Sequence, residues 1–242
     1  MNALERNRYT EAWRARGATL PKPKAVLCLS AHWLTRGLAV TAMHAPRTIH
    51  DFGGFPRALF EVQYPAPGSP ALAQRVAEVI QPLPVTLDTG WGLDHGAWSV
   101  LAHLFPDADV PVVQLSLDAT QPEAFQYAIG QKLAALRDEG VLILGSGNVV
   151  HNLSRIDFRG GVAYDWATRF EAFARRAILA GDHAALMDWQ RLGADAALSI
   201  PTPEHYWPLL PVLGTQQDGE RAQVLIEGIE LGSISMMAVQ IG

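Results

Sequence analysis

The chain has 242 residues, 49% of them hydrophobic and 18% charged, so it carries enough apolar material for a substantial core and is not a disordered polymer. One cysteine, Cys28, against eight histidines excludes an intramolecular disulfide framework and any cysteine-cluster zinc or iron–sulfur site. A net charge of −5 with no lysine-rich run leaves no electrostatic footprint for nucleic acid.

Along the chain, the opening MNALERNRYTEAW is polar and has no apolar signal core, and residues 3–16 suit a helix that stops before Gly17 and the Pro21/Pro23 turn. AVLCLS (25–30) is a buried-strand run, and residues 37–42 predict a second strand. The longest apolar stretch, AVLCLSA at 25–31, is far short of a bilayer span. We therefore expect a cytoplasmic protein with no membrane or nucleic-acid partner. From Met43 to Gly68 the chain is rich in Pro, Gly and aromatics, with a short helix near Pro56–Phe60. Ser69 and Pro70 form an N-cap and first-turn pair opening a helix to about Ile80. VTL (85–87) reads as a strand and Gly96–Leu104 as a helix.

The alternation then repeats. VPVVQLSL (110–117) is strand-like, residues 122–140 form an amphipathic helix ended by Gly140, and VLILGS (141–146) is another buried strand. Helices are predicted at 164–180 and 183–191, with another beginning near Thr202, before strand-like segments at 222–229 and 233–241. No repeat or linker divides the sequence, so we expect one α/β domain over 1–242 around a mostly parallel sheet, with any antiparallel members near its end.

Four histidines fall at element ends. His32 follows a buried strand by two residues and His151 follows another by five; His95 lies in WGLDHGAW before a helix, and His205 in PTPEHYWP. In open α/β sheets ligands gather beyond the carboxyl ends of the strands. Imidazole is the commonest metal ligand and the side chain suited to proton transfer near neutral pH. Any one histidine taken alone is more often structural than ligating, and spacings of 63, 56 and 54 residues match no compact metal motif. His44, His103 and His183 read as surface or packing residues.

Other constellations carry less. Gly145-Ser146-Gly147 could cradle an anion or admit a substrate, but it lacks the spacing of a nucleotide loop. No GxSxG elbow is present, Asp51-Phe52-Gly53 resembles a kinase motif by letters only, and Cys28 reads as an inert buried thiol. Trp33, Trp91 and Trp98 are candidates to line an aromatic pocket.

SAHW (30–33), TIHDFGGFP (48–56), YPAPGSP (64–70), GLDHGAW (92–98), GSGNVVHNL (145–153) and PTPEHY (201–206) occur together in this order. In these motifs the chain resembles the bacterial 4,5-DOPA extradiol dioxygenase family, relatives of the protocatechuate 4,5-dioxygenase β subunit. The resemblance runs from Met1 to Gly242 and implies a three-layer α/β/α fold around a mixed, mainly parallel sheet. It implies metal ligation by His32, His151 and His205, with a further histidine near the family's N-terminus, and an acid/base or orienting role for His95. In ring-cleaving relatives the histidine equivalent to His151 serves as a base and the third ligand is a carboxylate, which makes Glu204 the substitute for His205. The family opens on a strand and a GHGSP motif, and Met1-Asn2 aligns just after that proline. The expectation is that this sequence lacks the first strand and its ligand, through a misplaced start or a real truncation. His50 belongs to one of the motifs without an assigned role.

The implied chemistry is insertion of O₂ into a small catechol, DOPA-like or simpler, giving a muconic semialdehyde-type product. Fe(II) would serve ring cleavage, and Zn(II) suits the same imidazoles. A phenolic proton would pass to His95 or His151. The oligomeric state implied is a monomer or small homo-oligomer. Two other readings remain: a zinc-dependent hydrolase of a small amide or ester, and a truncated, non-catalytic metal-binding protein.

Overall fold

Asn7 opens the first element: its side chain accepts from the Tyr9 and Thr10 N–H groups at 3.0 and 3.1 Å, while its own N–H donates to the Thr10 hydroxyl. That reciprocal cap starts α1 (Arg8–Thr19) five residues beyond the start expected at residue 3, and the helix runs through Gly17 to Thr19 where a stop before Gly17 was expected, because the cap and not the polar periodicity sets the boundary. The computed structural model describes residues 2–159 and 162–242, and these divide into two compact units.

The first unit, Met1–Thr120 with Lys132–Ser146, contains the whole main sheet. Its elements run β1 (Ala25–Thr35), β2 (Leu38–Thr41), α2 (Arg57–Phe60), α3 (Pro70–Ile80), β3 (Val85–Asp88), α4 (His95–Leu104), β4 (Val112–Asp118), the second half of α5 (Glu123–Asp138), and β5 (Val141–Ser146). The strand order is β3-β2-β4-β1-β5. Three of the four pairings are parallel, and Val40 of β2 faces Leu115 of β4 in the one antiparallel pairing. The sheet is thus mixed and mainly parallel, with its antiparallel contact in the middle and not at the chain's end. This is the three-layer α/β class of fold.

Val26, Leu27, Cys28 and Leu29 of β1 are almost wholly buried, as are Val112, Val113, Leu115 and Leu117 of β4. Strands covered on both faces favour apolar side chains on either face, and two buried polar exceptions in β4, Gln114 and Ser116, are hydrogen-bonded to Asp94 and to the Ala39 N–H. Ser69 caps α3 by accepting the Leu72 N–H at 3.1 Å, as its sequence position suggested, and α3 packs on β2 and β3. Helix α4 packs on β1 and β5, and α1 packs on α4.

The second unit, Gln121–Gln131 with Gly147–Gly242, is built from the first half of α5, α6 (Asp165–Ala180), α7 (His183–Met187), α8 (Ala194–Ser199) and α9 (Leu209–Gly214). Its core gathers Phe170, Ile178, Leu186, Tyr206, Leu210 and Leu213, all at most 1% exposed. The helix expected over 183–191 ends at Met187, and a 3-10 turn follows at Trp189–Leu192. The segment after Thr202 is a series of turns that reaches helix only at Leu209, and α8 had no counterpart in the sequence reading. The two C-terminal strands divide into β6 (Ala222–Ile226), β7 (Ile229–Glu230), β8 (Ile234–Ser235) and β9 (Ala238–Ile241). They form two separate antiparallel ladders, β6 with β9 and β7 with β8. Gly228 and Gly232, both at positive φ, break the extended runs.

Candidate metal centre and acid/base groups

In the first unit, β1 continues through His32 to Thr35, past a register shift against β4 between Leu29 and Leu34, so His32 is a strand residue held on a rigid element. Beside it, Asp94 is fully buried and opens α4 by accepting the Ala97 N–H at 3.0 Å. Ser30 Oγ donates to Asp94 Oδ1 at 2.7 Å, Gln114 Nε2 donates to Oδ2 at 2.8 Å, and the Asp94 N–H donates back to Gln114 Oε1 at 2.9 Å. This network ties the start of α4 to β1 and β4 and leaves His95 as the first residue of the helix. Gly96 makes the approach possible: a Cβ there would stand 2.5 Å from Ser30 Oγ and 3.4 Å from His32 Nδ1.

The result is a tight trio. The His32 and His95 rings lie 3.9 Å apart, centroid to centroid. Asp51, from the loop after β2, sets Oδ2 3.1 Å from His32 Nδ1 and Oδ1 2.9 Å from His95 Nδ1. The His95 backbone N–H also donates to Asp51 Oδ1 at 2.8 Å. Burial opposes ionisation of Asp51, but the His32 and His95 side chains and the His95 backbone outweigh it and hold the carboxyl well below the usual carboxylate range. The side chains of His32, Asp51 and His95 keep 17, 19 and 33% exposure, so the trio is reachable from solvent.

Aromatic rings border it. Phe52 meets His95 edge-on at 5.1 Å and packs on Phe55, Phe60 and Trp98. Phe55 and Phe60 are exposed, whereas Trp98 is fully buried with its Nε1–H donated to Ile49 O at 2.8 Å. Trp98 is therefore core. Trp33 and Trp91 stack on each other at 5.6 Å. His50 sits in the same aromatic group with Nε2 2.9 Å from Val62 O.

The second unit brings together the other pair. His151 and His205 are stacked with ring centroids 3.4 Å apart. The His151 N–H donates to Ser199 O at 2.9 Å, and its backbone bridges Ile234. His205 Nδ1 lies 3.1 Å from Asn148 Oδ1, and Asn148 Nδ2 donates to Ser235 O, which settles which end of the amide faces the imidazole. The space at Gly147 is taken by protein: a Cβ there would meet His205 O at 2.2 Å. Glu204 accepts the Thr202 hydroxyl at 2.6 Å.

Sequence reasoning thus named His32 and His95, found together in one unit, and His151 and His205, found together in the other. It missed Asp51, passed over as a chance DFG; the signal was its place in TIHDFGGFP, a carboxylate set among glycines and aromatics. His103 and His183 pack as expected, against Asn2 O at 2.6 Å and the Tyr127 hydroxyl at 2.9 Å. Burial pushes the Cys28 thiol up, with the Asp94 charge adding to it, as an unreactive thiol requires.

Among the described residues, His32, Asp51 and His95 bring ligand atoms within 4.8 Å of one another. Two imidazoles and a carboxylate are the donors that divalent iron and zinc accept, so the residues fit such an ion. An α/β protein with a histidine–carboxylate group able to hold a divalent metal is the class these features define.

The particular family follows from comparison. Residues 5–236 match the family model described as the catalytic LigB subunit of aromatic ring-opening dioxygenase. The chain is 52% identical over 248 aligned positions to the 4,5-DOPA dioxygenase extradiol of Escherichia coli K12, covering 100% of this chain and 91% of that protein. It is 35% identical to the enzyme of the same name from Beta vulgaris, over 94% of this chain and 86% of the other. The crystal structure of an uncharacterized Escherichia coli K12 protein superposes with a TM-score of 0.87 at 47% identity, over 99% and 94% of the two chains. The chain belongs to the LigB family of aromatic ring-opening dioxygenases, and it is an extradiol dioxygenase whose substrates are O₂ and a small aromatic compound.

Proposed function

We propose that the chain cleaves a small catechol next to its diol, inserting both atoms of O₂ to give a muconic semialdehyde-type product. Fe(II) is the working metal in this reading, and Zn(II) is an ion the same imidazoles also accept. The observation that carries it is the close approach of the His32 and His95 rings, 3.9 Å apart beside Asp51, with Phe52 edge-on to His95 and packed on the exposed Phe60. DOPA is the first catechol to test, because bacterial and plant relatives are named for it. The family model spans parts of both units, which supports reading 1–242 as one catalytic domain. The hydrolase reading has no comparable support.

We assign His32, His151 and His205 to hold the metal, with Glu204 as the substitute for His205. When bound, the metal supplies Lewis acidity that favours the catecholate and a meeting point for the two substrates. His95 takes the phenolic proton at Nε2 and returns one as the ring opens, its Nδ1 side being anchored on Asp51. His151 is the second group able to carry that proton. Phe52 and its aromatic neighbours orient the flat ring and keep water from it.

The test is anaerobic loading with Fe(II), then DOPA or catechol with O₂, followed by absorbance. A yellow ring-opened product supports the reading. A folded, iron-loaded protein that produces no colour with any catechol overturns it.

A further inference from the structure

We propose that Asp94 is the positioning residue that holds His32 and His95 in place relative to each other: its buried carboxylate joins the backbone of one histidine to the helix start of the other. It acts through the directions of its hydrogen bonds and not through where its charge lies. The proposal rests on the metal role given above to His32 and the proton-carrying role given to His95.

The need for such a link comes from β1. Its pairing with β4 steps from Leu29 opposite Leu115 to Leu34 opposite Leu117, and its pairing with β5 ends at Ser30 opposite Ser146. His32 sits inside that step and past that end, where the ladders no longer dictate the backbone. Side chains take over. The His32 N–H donates to Ser30 Oγ at 3.3 Å, and Ser30 Oγ donates onward to Asp94 Oδ1 at 2.7 Å. The same Oδ1 accepts the Ala97 N–H at 3.0 Å and so caps the helix that begins with His95. One carboxylate oxygen thus anchors both histidine backbones, and displacing it moves both.

Asp94 is itself fixed from the sheet. Oδ2 accepts Gln114 Nε2 at 2.8 Å, and the Asp94 N–H donates to Gln114 Oε1 at 2.9 Å, which settles the direction of the amide. The Gln114 N–H donates to the Thr41 hydroxyl at 2.8 Å, which ties in β2. Ser30, Thr41, Asp94 and Gln114 are at most 2% exposed, so these bonds compete with no water and the network is rigid. An amide in place of the Asp94 carboxylate cannot satisfy it. Its nitrogen would face either Gln114 Nε2 or the Ala97 N–H, and turning the Gln114 amide would set Nε2 against the backbone N–H at position 94.

The experiment compares Asp94→Asn with the double variant Asp94→Asn/Gln114→Glu in the full-length protein. The single change leaves one donor facing another. The double change restores every donor and acceptor and moves the carboxylate to position 114. Zinc affinity of the metal-free protein is read by chelator competition, kcat and KM with Fe(II) and catechol, and the thermal midpoint alongside. Asp94→Asn should lower zinc affinity roughly 10–100-fold and kcat by roughly 10–100-fold, with KM changed little. The double variant should recover both. Ser30→Ala cuts the link to His32 and keeps the cap of α4, so it should also lower zinc affinity; it decides the matter if Asp94→Asn does not fold. Val76→Ala, a buried truncation in α3, should lower the thermal midpoint with zinc affinity and kcat unchanged, so lost stability alone does not imitate the effect. A folded Asp94→Asn or Ser30→Ala with wild-type zinc affinity would overturn the proposal, as would a folded double variant no better than the single one. Zinc affinity needs no turnover, so a failure of the ring-cleavage reading leaves a different signature: the same pattern of affinities and no product from any variant, the wild type included.

Discussion

His151 and His205 lie face to face, 3.4 Å between ring centroids and 7° from parallel. Asn148 anchors this pair from one side, with Oδ1 at His205 Nδ1 and Nδ2 on the Ser235 carbonyl. Asn148→Ala should therefore free the His205 ring to rotate and weaken metal affinity by roughly 10–100-fold without unfolding the protein. Elemental analysis after dialysis against a weak chelator, with the thermal midpoint as control, checks this.

Ligand and acid/base roles separate by measurement. His32→Ala and His205→Ala should each lower bound metal. His95→Ala should leave metal content near normal and reduce kcat by about 10²–10⁴-fold, the range for loss of a positioned proton carrier. Equal metal loss in all three variants would show that His95 is a ligand.

The close approaches at two glycines predict a cost for one methyl group. Gly96→Ala would press on Ser30 Oγ and His32, and Gly147→Ala on the His205 carbonyl. Each should destabilise by about 1–3 kcal/mol in urea unfolding and lower metal affinity as well. Gly53→Ala, with nothing within 4 Å of its Cβ, is the control and should change stability little.

Stability should fall on mild acidification. Burial holds the pKa of His103 and of His183 below the ordinary imidazole value of 6.5. The unfolded chain then takes up protons first, so stability is complete above about pH 6.5 and declines as pH drops through that value toward the folded pKa. Chemical unfolding between about pH 7.5 and 5 should show this slope. A His103→Gln/His183→Gln variant should flatten it, whatever its stability at neutral pH.

The central strands β1 and β4 were legible because they are buried on both faces, so runs such as AVLCL announce themselves without periodicity. The end of β1 was not. Its last residues, His32 to Thr35, mix polar and apolar side chains, and what keeps them extended is pairing with Leu117 and Asp118 on β4, a contact no local pattern encodes. The C-terminal strands were seen as strands, but their partners were not, because β-pairing depends on long-range register and on where Gly228 and Gly232 turn the chain. In the two units, His32 with His95 and His151 with His205 stood out by type and by position near the ends of predicted elements. Asp51 did not, since its role comes from two rings that fold onto it from 19 residues before and 44 after.

The central claim is that this chain uses O₂ to open a catechol ring, and oxygen uptake tests it most directly. With Fe(II)-loaded protein, a limiting amount of DOPA and an oxygen electrode, the account predicts one O₂ consumed per catechol lost, with no hydrogen peroxide released and a ring-opened product formed. Catechol bound by a folded, iron-loaded protein with no oxygen consumed, or oxygen recovered as peroxide beside an intact ring, would contradict it.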